Sequence, residues 1–233
     1  MFGFISVSRF LTVVFFVFLS GPMALFAQQR ISSIDIQEWP VANVVLFSGD
    51  TVSGSLTFHH QEEIINVQQE DGTLRSFSPV NVDHFIVSNA SEESPGQQVF
   101  VTYNWDQDKP YTDFKKPTFF QQLNYGQLTL IMRESYVRRD VNNMSAMNTR
   151  RFGYYDPYYN SMGYRFVEQI VPLFYLLLPD GDIITLRNLR KDLPRYFGKK
   201  EKDVKEFMKK NKYNYDNIDH LVAIIDYYNT LVK

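Results

Sequence analysis

From Val44 to Leu186 the chain is built of short runs of β-forming residues, most of them apolar at every second position and divided by turn residues. Beyond Leu186 the apolar interval lengthens to three and four. A period of two belongs to strands and a period near 3.6 to helices, so this one change predicts a sheet first and helices after it. The expected class is α+β, with the helices gathered at the C-terminal end.

Within the first β region, Val44–Phe47 is apolar and Ser48-Gly49-Asp50 supplies a turn. Thr51–Phe58 then alternates, with Val52, Leu56 and Phe58 on one face; Gly54 interrupts that face as a bulge or a close backbone approach does. Ile64–Gln69, the Asp71-Gly72 turn and Thr73–Phe77 form a second hairpin, and a last strand lies near His84–Val87. The polar segment 89–98 is the expected domain boundary. Beyond it, strands are expected at Gln98–Trp105, with Val99, Val101, Tyr103 and Trp105 on one face, and in a hairpin about Tyr125-Gly126. A further hairpin about Pro179-Asp180-Gly181-Asp182 includes Leu173–Leu178, apolar on both faces and expected as a central, covered strand. The helical segment has apolar stripes at Leu189, Leu193 and Phe197, at Val204, Phe207 and Met208, and from Ile218 to Val232, with Asp216 and Asp219 expected to cap the last helix. The expected organisation is a leader at 1–27, a small β-barrel at 28–88, a linker at 89–98, an antiparallel β region at 99–186 with a Tyr-rich loop at 140–164, and helices at 187–233.

The run Val44–Leu56 resembles the opening hairpin of SH3-like and Sm-like barrels, which implies a small, strongly bent barrel for the N-terminal module. Sm-like barrels often bind RNA, but this region is acidic and no RNA-contacting residues match, so no nucleic acid is expected. The whole succession resembles exported envelope proteins of Gram-negative bacteria: a Gly49–Gly54 hairpin, aromatic strands, a Leu178–Asp182 hairpin, then Lys-rich helices ending Ile225–Asn229. That resemblance implies a compartment and assigns no catalytic residues.

The N-terminus points to the same compartment. Arg9 precedes the apolar run Leu11–Leu19, Ser20-Gly21-Pro22 breaks it, and Ala27 offers a small residue for cleavage: the pattern of a secretory signal peptide. Nine residues of helix rise only about 14 Å against the roughly 30 Å of a bilayer core. No later segment has the apolar length of a span, so the expectation is a protein exported to the periplasm or cell surface, without a transmembrane span once the leader is removed. The absence of Cys excludes disulfides, thiolate metal sites and a Cys nucleophile.

The Tyr-rich loop is the expected contact surface. Tyr154, Tyr155, Tyr158, Tyr159 and Tyr164 stand beside Arg150 and Arg151, among Asn, Ser and Gly. Rigid amphipathic rings with adaptable hydrogen-bonding neighbours are the mixture of protein-binding loops, and Tyr faces also stack on sugars. An envelope protein or a glycan is the expected partner. Asn104, Asp106 and Asp108 present alternating oxygens of the kind that wrap calcium, but Lys109 and Lys115 stand where an EF-hand needs Gly and Glu. His59, His60, Glu62 and Glu63 offer at most two ligands on one strand face, so no metal and no cofactor is expected. No hydrolase, phosphate-binding or dinucleotide motif is present, which makes a non-catalytic binding or structural protein the leading reading; a hydrolase of envelope polymers using acidic residues near Asp106 and Asp108 is the alternative.

Charge is divided unevenly. Residues 28–185 hold 11 basic against 19 acidic residues, and residues 186–233 hold 12 against 7. Lys199, Lys200, Lys202, Lys205, Lys209, Lys210 and Lys212 make most of the basic excess, which can meet anionic headgroups or acidic polymers. Glu201–Lys205 and Glu206–Lys210, at i,i+4 spacing, are expected to offset part of it.

Overall fold

The computed structural model describes residues 35–88, 96–107, 109, 114–140 and 166–232; the expected leader lies outside them. Ten strands form one antiparallel sheet: β1 Ile36–Leu46, β2 Thr51–His59, β3 Ile64–Gln68, β4 Leu74–Phe77, β5 Val82–Ser88, β6 Gln97–Trp105, β7 Lys116–Gln122, β8 Thr129–Asp140, β9 Phe166–Leu177 and β10 Ile183–Leu186. Their order is β10-β9-β8-β7-β6-β5-β1-β2-β3-β4. Three α-helices follow, α1 Leu189–Phe197, α2 Glu201–Asn211 and α3 Ile218–Leu231, with a 3-10 turn at Gly198–Lys200 between the first two. The α+β class holds, with the sheet first and the helices last.

The alternation of β2 is borne out, since Val52, Leu56 and Phe58 are buried. Gly54 is a close approach: a Cβ there would lie 2.1 Å from the Gln68 carbonyl oxygen. The bulge itself belongs to the facing strand, where Trp39 pairs with Leu56 but Ala42 pairs with Gly54, leaving an extra residue at Pro40-Val41. β1 begins at Ile36, eight residues before the first strand expected from the sequence; a Pro within a bulge disguises it.

The segment expected as a domain boundary joins two neighbouring strands. Val87 pairs with Gln98 and Ser88 with Gln97, so the sheet continues across it. β6 uses both faces: Phe100 is buried with β1 and β2, whereas Tyr103 and Trp105 pack with Phe120, Ile131 and Tyr175. β9 is one strand from an edge rather than central, yet Tyr175 and Leu176 are covered on opposite faces.

Aromatic contacts show how strongly the sheet curls. Phe58 of β2 and Phe119 of β7 are four strands apart, about 19 Å on a flat sheet, but their ring centroids are 5.7 Å apart, edge to face. Phe85 and Phe100 stack between them, with centroids 4.7 Å apart. One apolar core thereby gathers residues from β1 to β7.

A second core lies where the helices cover the other end of the sheet. Leu193, Phe197, Val204, Leu221, Ile224 and Ile225 bury against Leu128, Leu130, Leu176 and Leu186. Pro194 does not end α1, because the carbonyl it leaves without a donor belongs to the exposed Arg190 of the first turn. α3 is capped by Asn217, whose side chain accepts from the His220 N–H. Asp216, expected as the cap, instead accepts from Arg190 at 2.6 Å. Asn229 takes a core position on α3 because it replaces a strand neighbour: its Oδ1 accepts from Leu128 N–H at 2.9 Å and its Nδ2 donates to Leu128 C=O at 2.8 Å.

Candidate functional site

β7 and β8 pair only at Gln121–Met132 and Gln122–Ile131, then part. Into the opening comes the turn between β2 and β3. Glu63, in a left-handed conformation at φ 54, places its carboxylate between the two parted strands. It accepts from Arg133 of β8 and lies 4.0 Å from Lys116 Nζ of β7. The Arg133 guanidinium also lies over the rings of Trp105 and Phe120, at 5.3 and 5.5 Å.

Beside that ion pair the curl brings β1 against β8. Gln37 Nε2 donates to Glu134 Oε2 at 3.0 Å, and Gln37 Oε1 is 3.0 Å from His60 Nε2. The His60 ring lies against Phe58, centroids 4.0 Å apart, and faces Tyr136 at 5.8 Å. Gln98, Gln121, Phe100, Phe119 and Met132 complete a cleft with a free volume of about 50 Å³, enough for a few waters or one small polar group.

Burial sets the electrostatics here. It pushes His60 down to about 4, helped by the nearby Arg133 charge, so the ring is neutral near neutral pH. Burial raises Glu134 against the opposing hydrogen bond from Gln37, and raises Glu63 although Arg133 and Lys116 favour its charged form. Tyr136 is raised by burial and by the Glu134 and Asp35 carboxylates, and its hydroxyl has no hydrogen-bond partner. Asp35, also raised by burial, accepts from the Gln61 N–H through one oxygen and leaves the other unpaired. This is a small, half-buried acid cluster with a neutral imidazole.

None of these groups was expected as a functional residue. His60 and Glu62 were expected to share a strand face, but β2 stops at His59, and His60 turns inward while Glu62 belongs to the turn. Glu63 meets Arg133 from 70 residues away, and Gln37 meets Glu134 from 97. No local spacing signals such pairs. His59 and His84 have nearby partners, Asn66 and Asp83. Among the described residues no three His, Asp or Glu side chains group as a metal site.

Of the residues expected to form the contact surface, Arg150, Arg151, Tyr154, Tyr155, Tyr158, Tyr159 and Tyr164 lie outside the described residues, as does Asp108. Asn104 is an exposed residue of β6 opposite Pro117, and Asp106 follows the strand. What is described is the support of the Tyr-rich segment. Arg133–Asp140 pairs with Leu173–Phe166 over eight rungs, about 27 Å of two-stranded ribbon. β7 and β10 stop short of these rungs, so the ribbon has no further strand neighbour among the described residues. Pro172 fits there because its strand has an open edge. Segment 141–165 connects the two ends of this ribbon.

Comparison with protein-family models, curated proteins and solved structures returns no match for this chain.

Proposed function

We propose that this is an exported, non-catalytic binding or structural protein of the bacterial cell envelope, in the periplasm or at the cell surface. Its contact surface is the Tyr-rich segment with Arg150 and Arg151, and its partner an envelope protein or glycan. The observation that supports this reading is the ribbon: β8 and β9 leave the sheet together and deliver both ends of segment 141–165 to one place. An isolated two-stranded ribbon is marginal in water, so a chain that maintains one gains from what it carries. At its base the ribbon is braced by the Gln37–Glu134 hydrogen bond and the His60–Tyr136 ring contact. The N-terminal strands we read as a small SH3-like barrel, on the strand order β5-β1-β2-β3-β4 and their common core.

The test replaces Tyr154, Tyr155, Tyr158 and Tyr159 with Ser and compares envelope proteins and glycans captured by the two forms. Loss of specific capture with unchanged thermal unfolding is the expected result. Undiminished capture of every partner removes the assignment.

A second reading, hydrolysis of an envelope polymer, shifts from the acidic residues near Asp106 and Asp108 to Glu134, a carboxyl raised by burial beside Phe100 and Phe119 as a general acid is. Its cleft has room for one small polar group of such a polymer rather than a whole sugar ring. Glu134→Gln then abolishes turnover of envelope polymers. A wild-type protein with no turnover sinks this reading.

A further inference from the structure

We infer that the outward face of α2 is a docking surface for an anionic phospholipid bilayer. Val204 is fully buried in the helical core, and Phe207 and Met208 pack on it, which fixes the rotation of the helix. Away from Val204, the 3.6-residue period places Lys202, Lys205 and Lys209 on one exposed stripe, which also carries Glu206, and Lys212 at the C-terminal cap is exposed as well. Lys199 and Lys210 lie beside it, also exposed.

Direct ion pairing within the fold is less than the sequence suggests, although exposed Glu206 keeps its negative charge beside the lysines. Glu201 pairs with Lys205 at 2.5 Å and Asp203 lies 3.9 Å from Lys200, but the i,i+4 pair expected between Glu206 and Lys210 does not form. Lys199, Lys202, Lys209, Lys210 and Lys212 therefore have no ion-pair partner among the described residues. They sit on a chain whose 28–185 portion carries a net charge of −8, so an approaching anionic surface meets one orientation that attracts and others that repel.

The chemistry favours a bilayer over a soluble acidic polymer. Ammonium groups act as point charges without the bidentate fork that grips individual phosphates, and they lie on a convex helix rather than in a groove that tracks a strand. Because the helix is already packed, no ordering cost opposes adsorption, unlike a disordered polybasic tail. Docking by this face is independent of the reading given to the Tyr-rich segment.

The experiment is co-sedimentation of the protein, as recovered from the cell, with phosphatidylglycerol-containing vesicles and with pure phosphatidylcholine vesicles. The second subtract any apolar binding, that of a retained leader included. Binding specific to the anionic vesicles is expected, falling about fivefold for each Lys neutralised, so that Lys202→Gln/Lys209→Gln/Lys210→Gln loses roughly a hundredfold. It should also fall with added salt. Two results overturn the inference: equal binding to both vesicle types, or anionic binding that the triple variant retains. A third does so as well: tight binding to soluble polyphosphate, lost in the triple variant, with none to vesicles, would assign the face to an acidic polymer. The substituted residues are exposed, and an unchanged unfolding curve checks that the variant is folded.

Discussion

Arg133→Met isolates the ion pair that fills the opening between β7 and β8. The Glu63 side chain is 7% exposed and the Arg133 side chain 22%. Removing the guanidinium leaves a buried carboxylate whose nearest cation is Lys116 Nζ at 4.0 Å, on a side chain that is half exposed. Breaking a buried pair from one side costs about 3–5 kcal/mol. Partial access to water and the surviving Lys116 put this case at the lower end, about 3 kcal/mol near neutral pH. Met retains the apolar contact with Trp105 and Phe120, so the loss measures charge more than packing. Adding Glu63→Gln removes the stranded charge, and the double variant should recover about 2 kcal/mol of the loss; the non-additivity is larger than that by whatever Glu63→Gln costs alone, since it leaves Arg133 unpaired. The pH dependence has a definite sign. Burial already raises Glu63, and without Arg133 its folded-state value rises further. The group then favours the folded state below its ordinary value and disfavours it as pH rises through the folded value, so the penalty of Arg133→Met shrinks on acidification toward about pH 5. Urea unfolding of the wild type, both single variants and the double variant, at two pH values, measures all of this. A loss below about 1 kcal/mol for Arg133→Met, or strict additivity in the double variant, would show that the pair does not hold the opening closed.

Asn229→Ala leaves the N–H of buried Leu128 without a partner and its C=O with only the long 3.4 Å bond from Asn124 Nδ2, and should cost about 1–3 kcal/mol, read as a lowered denaturation midpoint; a loss under about 0.5 kcal/mol would mean that water replaces the amide. Gly54→Ala drives a methyl group into the Gln68 carbonyl oxygen and should cost about 3 kcal/mol, with a displaced β2–β3 amide pattern in NMR spectra; an unshifted spectrum contradicts the close approach. His60, lowered from its ordinary 6.5 to about 4, favours the folded state above 6.5 and loses that contribution as pH falls through about 4. Replacing it with Gln should therefore flatten the acid limb of stability by on the order of 3 kcal/mol relative to wild type, against the opposite drift of Glu63 and Glu134. An unchanged limb would indicate that His60 protonates in the folded protein without cost.

The sequence by itself determined the elements whose information is local. The period of two in β2, the Asp71-Gly72 turn with Gly72 at φ 82, the hairpin closed at Pro179–Asp182 and the helical stripes after Leu186 each depend on residues a few positions apart. Local signals failed where the chain answers to distant partners. β1 was hidden by Pro40, which is tolerated because a bulge faces Gly54. Phe100 gave no signal as a core residue because β6 is covered on both faces, and the alternation marked only the face of Tyr103 and Trp105. Asn229 reads as polar on a helix until the β7–β8 turn arrives to need its amide. The seam of Gln37, His60, Glu63, Arg133 and Glu134 was decided wholly by tertiary structure. Side-chain periodicity specifies which face of a strand is apolar, but not how far the finished sheet bends. It is the bend that turns strands about 19 Å apart on a flat sheet into hydrogen-bonding neighbours.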